Sequence, residues 1–222
     1  MEFVMIRVLI ADDHDLVRTG LSRMLSDIQE LIIVGEACSG EEAIEKCRSL
    51  QPQVVLMDVR MPGIGGLEAT RKISQSFPEI QVIAVTVCND ELYPTKLMEA
   101  GAAGYVTKGI SIDEMVSAIK SVVIGKRYIS PDIAQQMALK SLQPSSGSPF
   151  EKLSSREMQI SLMIVNCEKV QAISDKLCLS TKTVNSYRYR IFEKLQINSD
   201  VELTHLAIRH GLIEAGQDVV SA

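Results

Sequence analysis

Three aspartates directly follow short apolar runs, a placement that suits phosphate and metal chemistry. Asp12 and Asp13 follow the run Ile6–Ala11, and Asp58 follows the run Val54–Met57. Crowded carboxylates repel one another unless a cation binds between them. Carboxylate oxygens at an open site suit Mg2+, which keeps several waters and accepts phosphate oxygens. We therefore expect Asp12 and Asp13 to hold Mg2+, provided that the two runs are neighbours.

Thr86 and Lys108 stand at the ends of two later apolar runs. A carboxylate nucleophile, a divalent metal, a hydroxyl and a lysine together can stabilise a transferring phosphoryl group. Asp58 lies deepest in its strand end and is the expected nucleophile. Taken singly, an aspartate after a strand is more often a cap or turn residue, and a lone lysine is more often a solvated charge. The joint placement at strand ends favours phosphoryl chemistry.

The elements that must position these residues alternate over the first ~125 residues. Short runs rich in Val and Ile, typical of strands buried on both faces of a parallel sheet, are separated by amphipathic segments. Ligands of such a sheet bind beyond the carboxyl ends of its strands. The pattern predicts an α/β domain with a five-stranded, parallel, doubly wound, flavodoxin-like sheet. The runs are Ile6–Ala11, Leu31–Ala37, Val54–Met57, Gln81–Val87 and Gly104–Val106.

The second part of the chain is predicted to be all-α, with four helices. Helix starts are marked by the pattern Ser-x-x-Glu, in which hydroxyl and carboxylate satisfy free amide groups, at Ser39, Ser111, Ser154 and Ser199. The four predicted helices are Ser155–Val165, Val170–Leu177, Thr181–Leu195 and Asp200–His210.

We divide the chain into an α/β domain at 5–127, a linker at 128–150 and an all-α domain at 151–216. The linker contains a short helix, Asp132–Leu142, and a Ser/Gly/Pro-rich tether, Gln143–Pro149. The formal net charge of −5 belongs entirely to residues 1–150, because residues 151–222 carry nine cationic and nine acidic side chains.

The segment Thr181–Leu195 has the features of a helix that enters a groove of DNA. Ser180 is a suitable N-cap after a short turn, and Val184 lies at the centre of the apolar face. Lys182 to Lys194 carries a local charge of +3, and Arg188 falls toward the buried side, where we expect it to pack or form an internal ion pair. The opposite face presents Lys182, Asn185, Ser186, Tyr189 and Glu193, with Arg190 at its edge.

Amide side chains can pair with adenine, and Lys, Ser and Arg suit phosphates. Any exposed helix is also polar, so composition alone leaves DNA binding open. The sequence contains no apolar run long enough for a membrane span and no signal-peptide pattern at its start, so we expect a cytoplasmic protein. The five scattered cysteines are predicted to be small core residues.

The first domain resembles the receiver domain of two-component response regulators. The resemblance rests on Asp12 and Asp13, Thr86 and the stretches Leu56–Gly63 and Tyr105–Gly109. It implies that a sensor histidine kinase phosphorylates Asp58, that Lys108 and Thr86 contact the phosphoryl group, and that Thr86 and Tyr105 form a switch. Mg2+ would be bound by Asp12, Asp13, Asp58 and the carbonyl of Arg60. From the residues alone, Tyr105 is equally well explained as a packing residue.

The second domain resembles the C-terminal helix-turn-helix domain of LuxR, NarL and FixJ regulators. The stretches Leu153–Glu157 and Ile173–Val184 carry this resemblance. The runs Lys182–Arg190 and Asp200–Leu212 are similar to the GacA/UvrY regulators, which act with GacS/BarA-like kinases and activate small regulatory RNAs. This implies a homodimer on double-stranded promoter DNA, paired through the last helix and released from the receiver by phosphorylation. The residues expected at DNA are Lys182, Thr183, Asn185, Ser186, Tyr189 and Arg190.

The chain departs from this family at Cys167, where a glycine is usual. If that position needs a positive φ, the cysteine introduces strain of about 1 kcal/mol.

Two other functions fit parts of the sequence. A hydrolase with an aspartate nucleophile usually carries the pattern Asp-x-Asp after its first strand, whereas this chain has Asp12-Asp13-His14. We therefore expect no enzyme activity beyond self-phosphorylation and slow loss of the aspartyl phosphate. A pure interaction module without DNA binding is disfavoured by the basic, N-capped helix.

Overall fold

A computed structural model of the chain describes residues 5–61, 63–86, 93–142, 148–177, 179–210 and 212. These residues form two compact units that divide between positions 145 and 146, inside the predicted tether. The tether residues 143–147 themselves lie outside the described part, as do Cys88, Cys178 and the predicted end of the fourth strand at Val87. None of the described helices is long and apolar enough to cross a membrane.

The first unit is built on a parallel sheet with the strand order β2-β1-β3-β4-β5-β6. The Val- and Ile-rich runs form its strands, and β3 and β4 are buried along almost their whole length, as expected between two helical layers. The strands are β1 Ile6–Ala11, β2 Leu31–Ala37, β3 Val54–Asp58, β4 Gln81–Thr86, β5 Gly104–Thr107 and β6 Tyr128–Ile129.

The prediction of five strands was wrong, because a sixth extends the sheet beside β5. The amide of Tyr128 donates to the carbonyl of Ala103 at 3.0 Å, and the amide of Ser130 donates to the carbonyl of Tyr105 at 3.0 Å. A two-residue strand is too short to show any apolar period. The residues assigned to the start of the linker therefore belong in part to the sheet.

Helices cover both faces of the sheet and bury a separate apolar cluster on each. On one face, Leu25 of α1 and Ile119 of α5 pack against alternate strand residues. On the other face, Cys47 of α2 and Ile73 of α3 pack against the remaining ones. The helices of this unit are α1 Asp15–Ser26, α2 Gly40–Leu50, α3 Gly65–Ser76, α4 Tyr93–Glu99, α5 Ile112–Val123 and α6 Pro131–Leu142.

The second unit contains the four predicted helices after a short 3-10 turn at Pro149–Lys152. Its core is formed by buried apolar side chains from every element, including Phe150, Met158, Ile173 and Val184. The helices are α7 Ser155–Val165, α8 Val170–Leu177, α9 Thr181–Leu195 and α10 Asp200–Arg209, so the last one ends one residue earlier than expected.

The predicted helix caps are confirmed at all four positions. Ser39, Ser111, Ser154 and Ser199 each accept a hydrogen bond from the amide three residues later. At Ser154 the reciprocal bond from its own amide to the Glu157 carboxylate is also present, which completes a capping box.

The cysteines only partly match the prediction of core residues. Cys47 is buried, whereas Cys38 and Cys167 are exposed, and all three are free thiols. Cys167 ends the turn after α7 with φ of 59°, so the position does require the left-handed conformation that suits glycine.

Candidate phosphoacceptor site and nucleic-acid interface

The aspartates directly after β1 and at the end of β3 converge, because these two strands are neighbours and pair as far as Ala11 and Met57. Ligand atoms of Asp12, Asp13, His14 and Asp58 all lie within 4.8 Å of one another. Asp12 and Asp58 are buried, with 2% and 3% of their surface exposed, whereas Asp13 is open to solvent. A carboxylate cluster of this kind has an inner pair and an exposed entrance.

His14 belongs to the cluster, although the sequence prediction did not include it. Its Nδ1 lies 3.0 Å from an Asp13 oxygen and 3.3 Å from an Asp12 oxygen. Its backbone amide also donates to Asp12 Oδ1 at 2.8 Å, which fixes the orientation of that carboxylate. Its position directly after the two aspartates was the signal that could have identified it.

Lys108 reaches into the cluster from the end of β5. Its Nζ lies 2.7 Å from Asp12 Oδ2 and 3.0 Å from Asp58 Oδ2, so one ammonium bridges both buried carboxylates. The backbone amide of Lys108 donates to the carbonyl of Thr86 at 2.6 Å, which anchors the residue at the end of β4. The register of β4 and β5 therefore determines where the ammonium lies.

Burial and charge act in opposite directions on these groups. Burial raises the pKa of Asp58 above its ordinary value, because the gain from Lys108 does not fully offset the loss of solvent. Burial also opposes the charged form of Lys108, but the carboxylates of Asp12 and Asp58 outweigh it and raise the pKa of the lysine. The charged forms of Asp58 and Lys108 thus stabilise each other within the site.

Thr86 and Tyr105 lie on one face of the sheet and are both buried, with 2% and 1% exposure. Tyr105 pairs with Ala84 in the neighbouring strand, and Thr86 is two residues further along that strand. Side chains alternate between faces, so the two residues are diagonal neighbours on the same face. The structure thus places both expected switch residues in one layer, one of them at the strand end that carries the cluster.

Arg60 follows Asp58 in the loop to α3, and its backbone amide donates to Asp58 Oδ1 at 3.3 Å. The start of α3 packs directly against the backbone of Asp58. A Cβ atom on Gly66 would lie 1.9 Å from the carbonyl oxygen of Asp58, so only glycine permits this approach.

The donor set fits the metal that the sequence predicted. Three carboxylates with an exposed entrance supply hard oxygen ligands at an open site, which is what Mg2+ prefers. Asp12, Asp13 and Asp58 are the residues that could hold such an ion.

The other candidate site is a single face of α9. Lys182, Ser186, Tyr189 and Arg190 are exposed, and Tyr189 has 73% of its surface open to solvent. Asn185 and Thr183 are half-buried, and the Thr183 hydroxyl lies 2.8 Å from that of the N-cap Ser180. All six residues expected at DNA thus lie on this helix, with two of them less accessible than the rest.

Tyr187 is part of this surface, although it is not among the six residues that the sequence predicted at DNA. It lines a shallow groove together with Lys182, Thr183, Ser186 and Arg190. The Arg190 guanidinium lies 5.9 Å from the centre of the Tyr187 ring, within range of a cation–π interaction. The sequence signal for this contact was the spacing of three residues between Tyr187 and Arg190, which makes them neighbours on the surface of a helix.

Two of the four cations in this stretch are paired inside the unit. Arg188 Nε donates to Asp200 Oδ1 at 2.7 Å, which confirms the expected internal ion pair, and its guanidinium lies over the Phe192 ring. Lys194 Nζ lies 2.6 Å from the buried Glu157 carboxylate. Lys182 and Arg190 are therefore the candidates for phosphate contact.

Comparison with known protein families matches both units. Residues 8–120 match the response regulator receiver domain, and residues 151–207 match the bacterial regulatory proteins of the luxR family. The response regulator GacA of Pseudomonas protegens is 68% identical over 95% of this chain and 99% of its own length. The response regulator UvrY of Escherichia coli is 58% identical over 95% of this chain and 97% of its own length.

A solved structure with the same fold is RcsB from Salmonella enterica serovar Typhimurium, bound to promoter rprA in the presence of phosphomimetic BeF3-. It is 22% identical and covers 91% of this chain and 98% of its own, with a TM-score of 0.66. At 22% identity, this structural similarity shows a shared fold.

Proposed function

The chain belongs to the response regulators that carry a luxR-type DNA-binding domain, and on that premise we propose that phosphorylation of Asp58 controls promoter binding by α9. The observation that carries the proposal is the meeting of Asp12, Asp58 and Lys108 at the ends of three strands. A buried carboxylate beside a lysine and two further acids is the constellation that phosphoryl transfer to an aspartate requires.

In the proposed step, an oxygen of Asp58 attacks the phosphorus of a phosphohistidine on a sensor kinase. The bond between phosphorus and the imidazole nitrogen breaks, and its electron pair stays on that nitrogen. Mg2+ held by Asp12, Asp13, Asp58 and the Arg60 carbonyl would neutralise charge on the phosphoryl oxygens. Lys108, which pairs with Asp58 before transfer, is placed to contact one of these oxygens instead.

The switch follows from the added charge. A phosphoryl group brings strong acceptor oxygens, which would draw the hydroxyl of Thr86 toward Asp58. Tyr105 lies on the same face of the sheet and would move into the space that Thr86 leaves. Close packing in this layer, where both side chains are buried, supports a coupled rather than an independent movement.

The phosphoacceptor is tested by intact-mass analysis after incubation with acetyl phosphate and Mg2+. We expect one added phosphoryl group in the wild-type chain, none in Asp58→Asn, and none when EDTA removes the metal. Asp113→Asn, on the exposed start of α5, is the control and should be modified normally. An unmodified wild-type chain, or a modification that survives Asp58→Asn, would disprove the assignment.

For the second unit, we propose that a homodimer binds double-stranded promoter DNA with Lys182, Thr183, Asn185, Ser186, Tyr189 and Arg190 of each copy. The exposed apolar residues Val201 and Ile208 on α10 support pairing through that helix. The proposed targets are promoters of small regulatory RNAs, and the proposed kinase is GacS/BarA-like. We also propose that the protein is cytoplasmic. High identity to GacA and UvrY over nearly the whole chain supports these specific proposals.

Regulation is tested by measuring the affinity for promoter DNA at one salt concentration, with and without acetyl phosphate. We expect tighter binding of the phosphorylated chain, in which the receiver no longer obstructs α9. Equal affinities in both states would rule out the switch.

We propose no enzymatic turnover beyond self-phosphorylation and slow hydrolysis of the aspartyl phosphate. The proposed nucleophile Asp58 is the last residue of the third strand, whereas hydrolases with an aspartate nucleophile usually carry it after the first strand, and this supports the proposal. Multiple turnovers of a phosphomonoester such as p-nitrophenyl phosphate, lost in Asp58→Asn, would contradict it.

A further inference from the structure

The described residues of the loop that joins β3 to α3, 59–61 and 63–64, lie next to the proposed phosphoacceptor Asp58. The loop begins directly after Asp58 and carries Arg60, whose amide contacts the Asp58 carboxylate. On its inner side, the amide of Gly66 donates to the carbonyl of Val59 at 3.1 Å. An outward shift of this loop would move Arg60 and change the hydrogen bond that its amide donates to the Asp58 carboxylate.

On its outer side, the loop is held by Glu41 from the first turn of α2. Glu41 Oε1 accepts a hydrogen bond from the backbone amide of Ile64 at 2.9 Å, across 23 residues of sequence. A Cβ atom on Gly63, which has φ of +76°, would lie 2.3 Å from Glu41 Oε2. A side chain at position 63 would therefore push the carboxylate away from the loop.

The adjacent acid, Glu42, does not contact this loop in the hydrogen bonds and ion pairs described but binds groups at the start of α2. Its carboxylate accepts from the amide of Cys38 at 2.7 Å and pairs with Lys46 at 2.7 Å. The Cys38 amide first and Lys46 next lower the pKa of Glu42 to about 2. Since Glu42 stabilises the start of α2, Glu41 is left to reach across to the β3–α3 loop.

The close approach of α2 to this loop supports the same role. A Cβ atom on the buried Gly40 would lie 2.8 Å from Ile64 Cγ1 and 3.0 Å from the carbonyl oxygen of Gly65. The start of α2 thus packs tightly against the end of the loop, with the Glu41 carboxylate beside this contact.

We propose that Glu41 is a positioning residue for phosphoryl transfer, which holds the β3–α3 loop so that Asp58 and the Arg60 carbonyl face the metal and the donor. The inference rests on the proposed phosphorylation of Asp58. A hydrogen bond from an amide to a carboxylate is stronger than one between neutral groups, and small displacements of reacting groups slow a reaction severely. Because Glu41 is exposed, its replacement should leave the fold intact.

The test compares Glu41→Ala, Glu41→Gln and Glu45→Ala in the full chain. Glu45 is an exposed acid one turn further along α2 and serves as the matched control. With acetyl phosphate and Mg2+, we expect Glu41→Ala to be phosphorylated about fivefold more slowly, which corresponds to the loss of one hydrogen bond. Glu41→Gln keeps an acceptor oxygen and should regain most of the rate, and Glu45→Ala should match the wild type.

A second readout needs no phosphoryl transfer. Hydrogen exchange of peptides that cover residues 59–66, measured without donor, should be faster in Glu41→Ala and unchanged in Glu45→Ala. Calorimetric titration with Mg2+ alone should show weaker binding in Glu41→Ala, with an unchanged melting temperature.

The possible failures are distinguishable. If the wild-type chain accepts no phosphoryl group, the proposed function fails, while loop exchange still reports whether Glu41 holds the loop. If the wild type is phosphorylated and Glu41→Ala shows the same rate and the same exchange, the role of Glu41 is disproved. An equal loss of rate in Glu45→Ala would also disprove it, since the effect would then belong to the charge of α2.

Discussion

The two units of this response regulator assemble their functional groups in different ways. In the receiver, Asp12, Asp58 and Lys108 come from three strands and meet in a largely buried cluster. In the DNA-binding unit, the candidate contacts lie on the single helix α9, and most of them are exposed. Groups that share one buried cluster depend on each other, whereas exposed groups on a helix act nearly independently.

The two units also differ in how a buried acid affects their stability. Asp58 has its pKa raised by burial despite Lys108, so its ionised form costs stability in the folded receiver. Glu157 is equally buried, but Lys194 and the amide and hydroxyl of Ser154 outweigh the effect of burial and lower its pKa. Glu157 therefore stabilises its unit, whereas Asp58 is retained at the expense of stability, which is typical of functional groups.

The largest expected effect concerns the interdependent cluster. Lys108→Ala should slow phosphorylation by acetyl phosphate about 100-fold, because it removes a cation beside the transferring group. Intact-mass kinetics measure the rate, and Lys126→Ala, an exposed lysine after α5, should be unaffected. A loss of only a few-fold would mean that the receiver residues act as independently as those of α9.

The two acids should respond in opposite directions when they are neutralised at pH 7 without metal. Glu157→Gln should destabilise the second unit by about 1–2 kcal/mol, because a helix cap and an ion pair are lost. Asp58→Asn should stabilise the receiver. Hydrogen exchange of α7 and β3 peptides in increasing urea measures each unit within the full chain.

The dependence of stability on pH shows whether Glu157 and Asp58 stabilise or destabilise their units. The pKa of Glu157 is lowered on folding, so its stabilisation is present above the ordinary value of 4.5 and is lost as pH falls through the lowered pKa. The pKa of Asp58 is raised on folding, so the receiver loses stability as pH rises from 3.8 through the raised pKa. The measured quantity is the difference in unfolding free energy between the wild type and Glu157→Gln or Asp58→Asn at each pH. If this difference changes with pH in the same direction for both variants, the contrast between these acids is wrong.

A smaller effect is expected on the exposed helix. Lys182→Ala should weaken promoter binding about threefold to tenfold and reduce the salt dependence by about one phosphate contact for each copy of the chain. Arg188→Ala should leave the salt dependence unchanged, since its guanidinium pairs with Asp200. Fluorescence anisotropy at several salt concentrations separates the two, and an equal change of slope in both would show that the ion pair opens on DNA.

The smallest effect concerns backbone strain outside both sites. Cys167→Gly should stabilise the second unit by about 0.5 kcal/mol, because relief of the left-handed conformation exceeds the entropy that glycine adds to the unfolded chain. Cys167→Ala keeps a Cβ atom and should bring no gain. Urea titration compares the three proteins, and equal gains would assign the effect to the thiol.

Local signals in the sequence predicted much of this molecule. The Ser-x-x-Glu pattern located four helix starts, and the apolar runs located five strands. The placement of acids at strand ends predicted the meeting of Asp12 and Asp58, because parallel strands end at the same edge. The two-residue strand β6 carried no such signal, since its pairing depends entirely on β5.

The sequence by itself determined the types of the longer elements, the division into two domains and the residue types able to handle a phosphoryl group, because periodicity and capping act over a few residues. Only the tertiary structure decided which charges are paired. It assigned Lys108 to two acids, Arg188 to Asp200, Lys194 to Glu157 and Tyr187 to the exposed groove. These contacts join residues on different elements or depend on the exact rotation of a helix, so no local pattern specifies them.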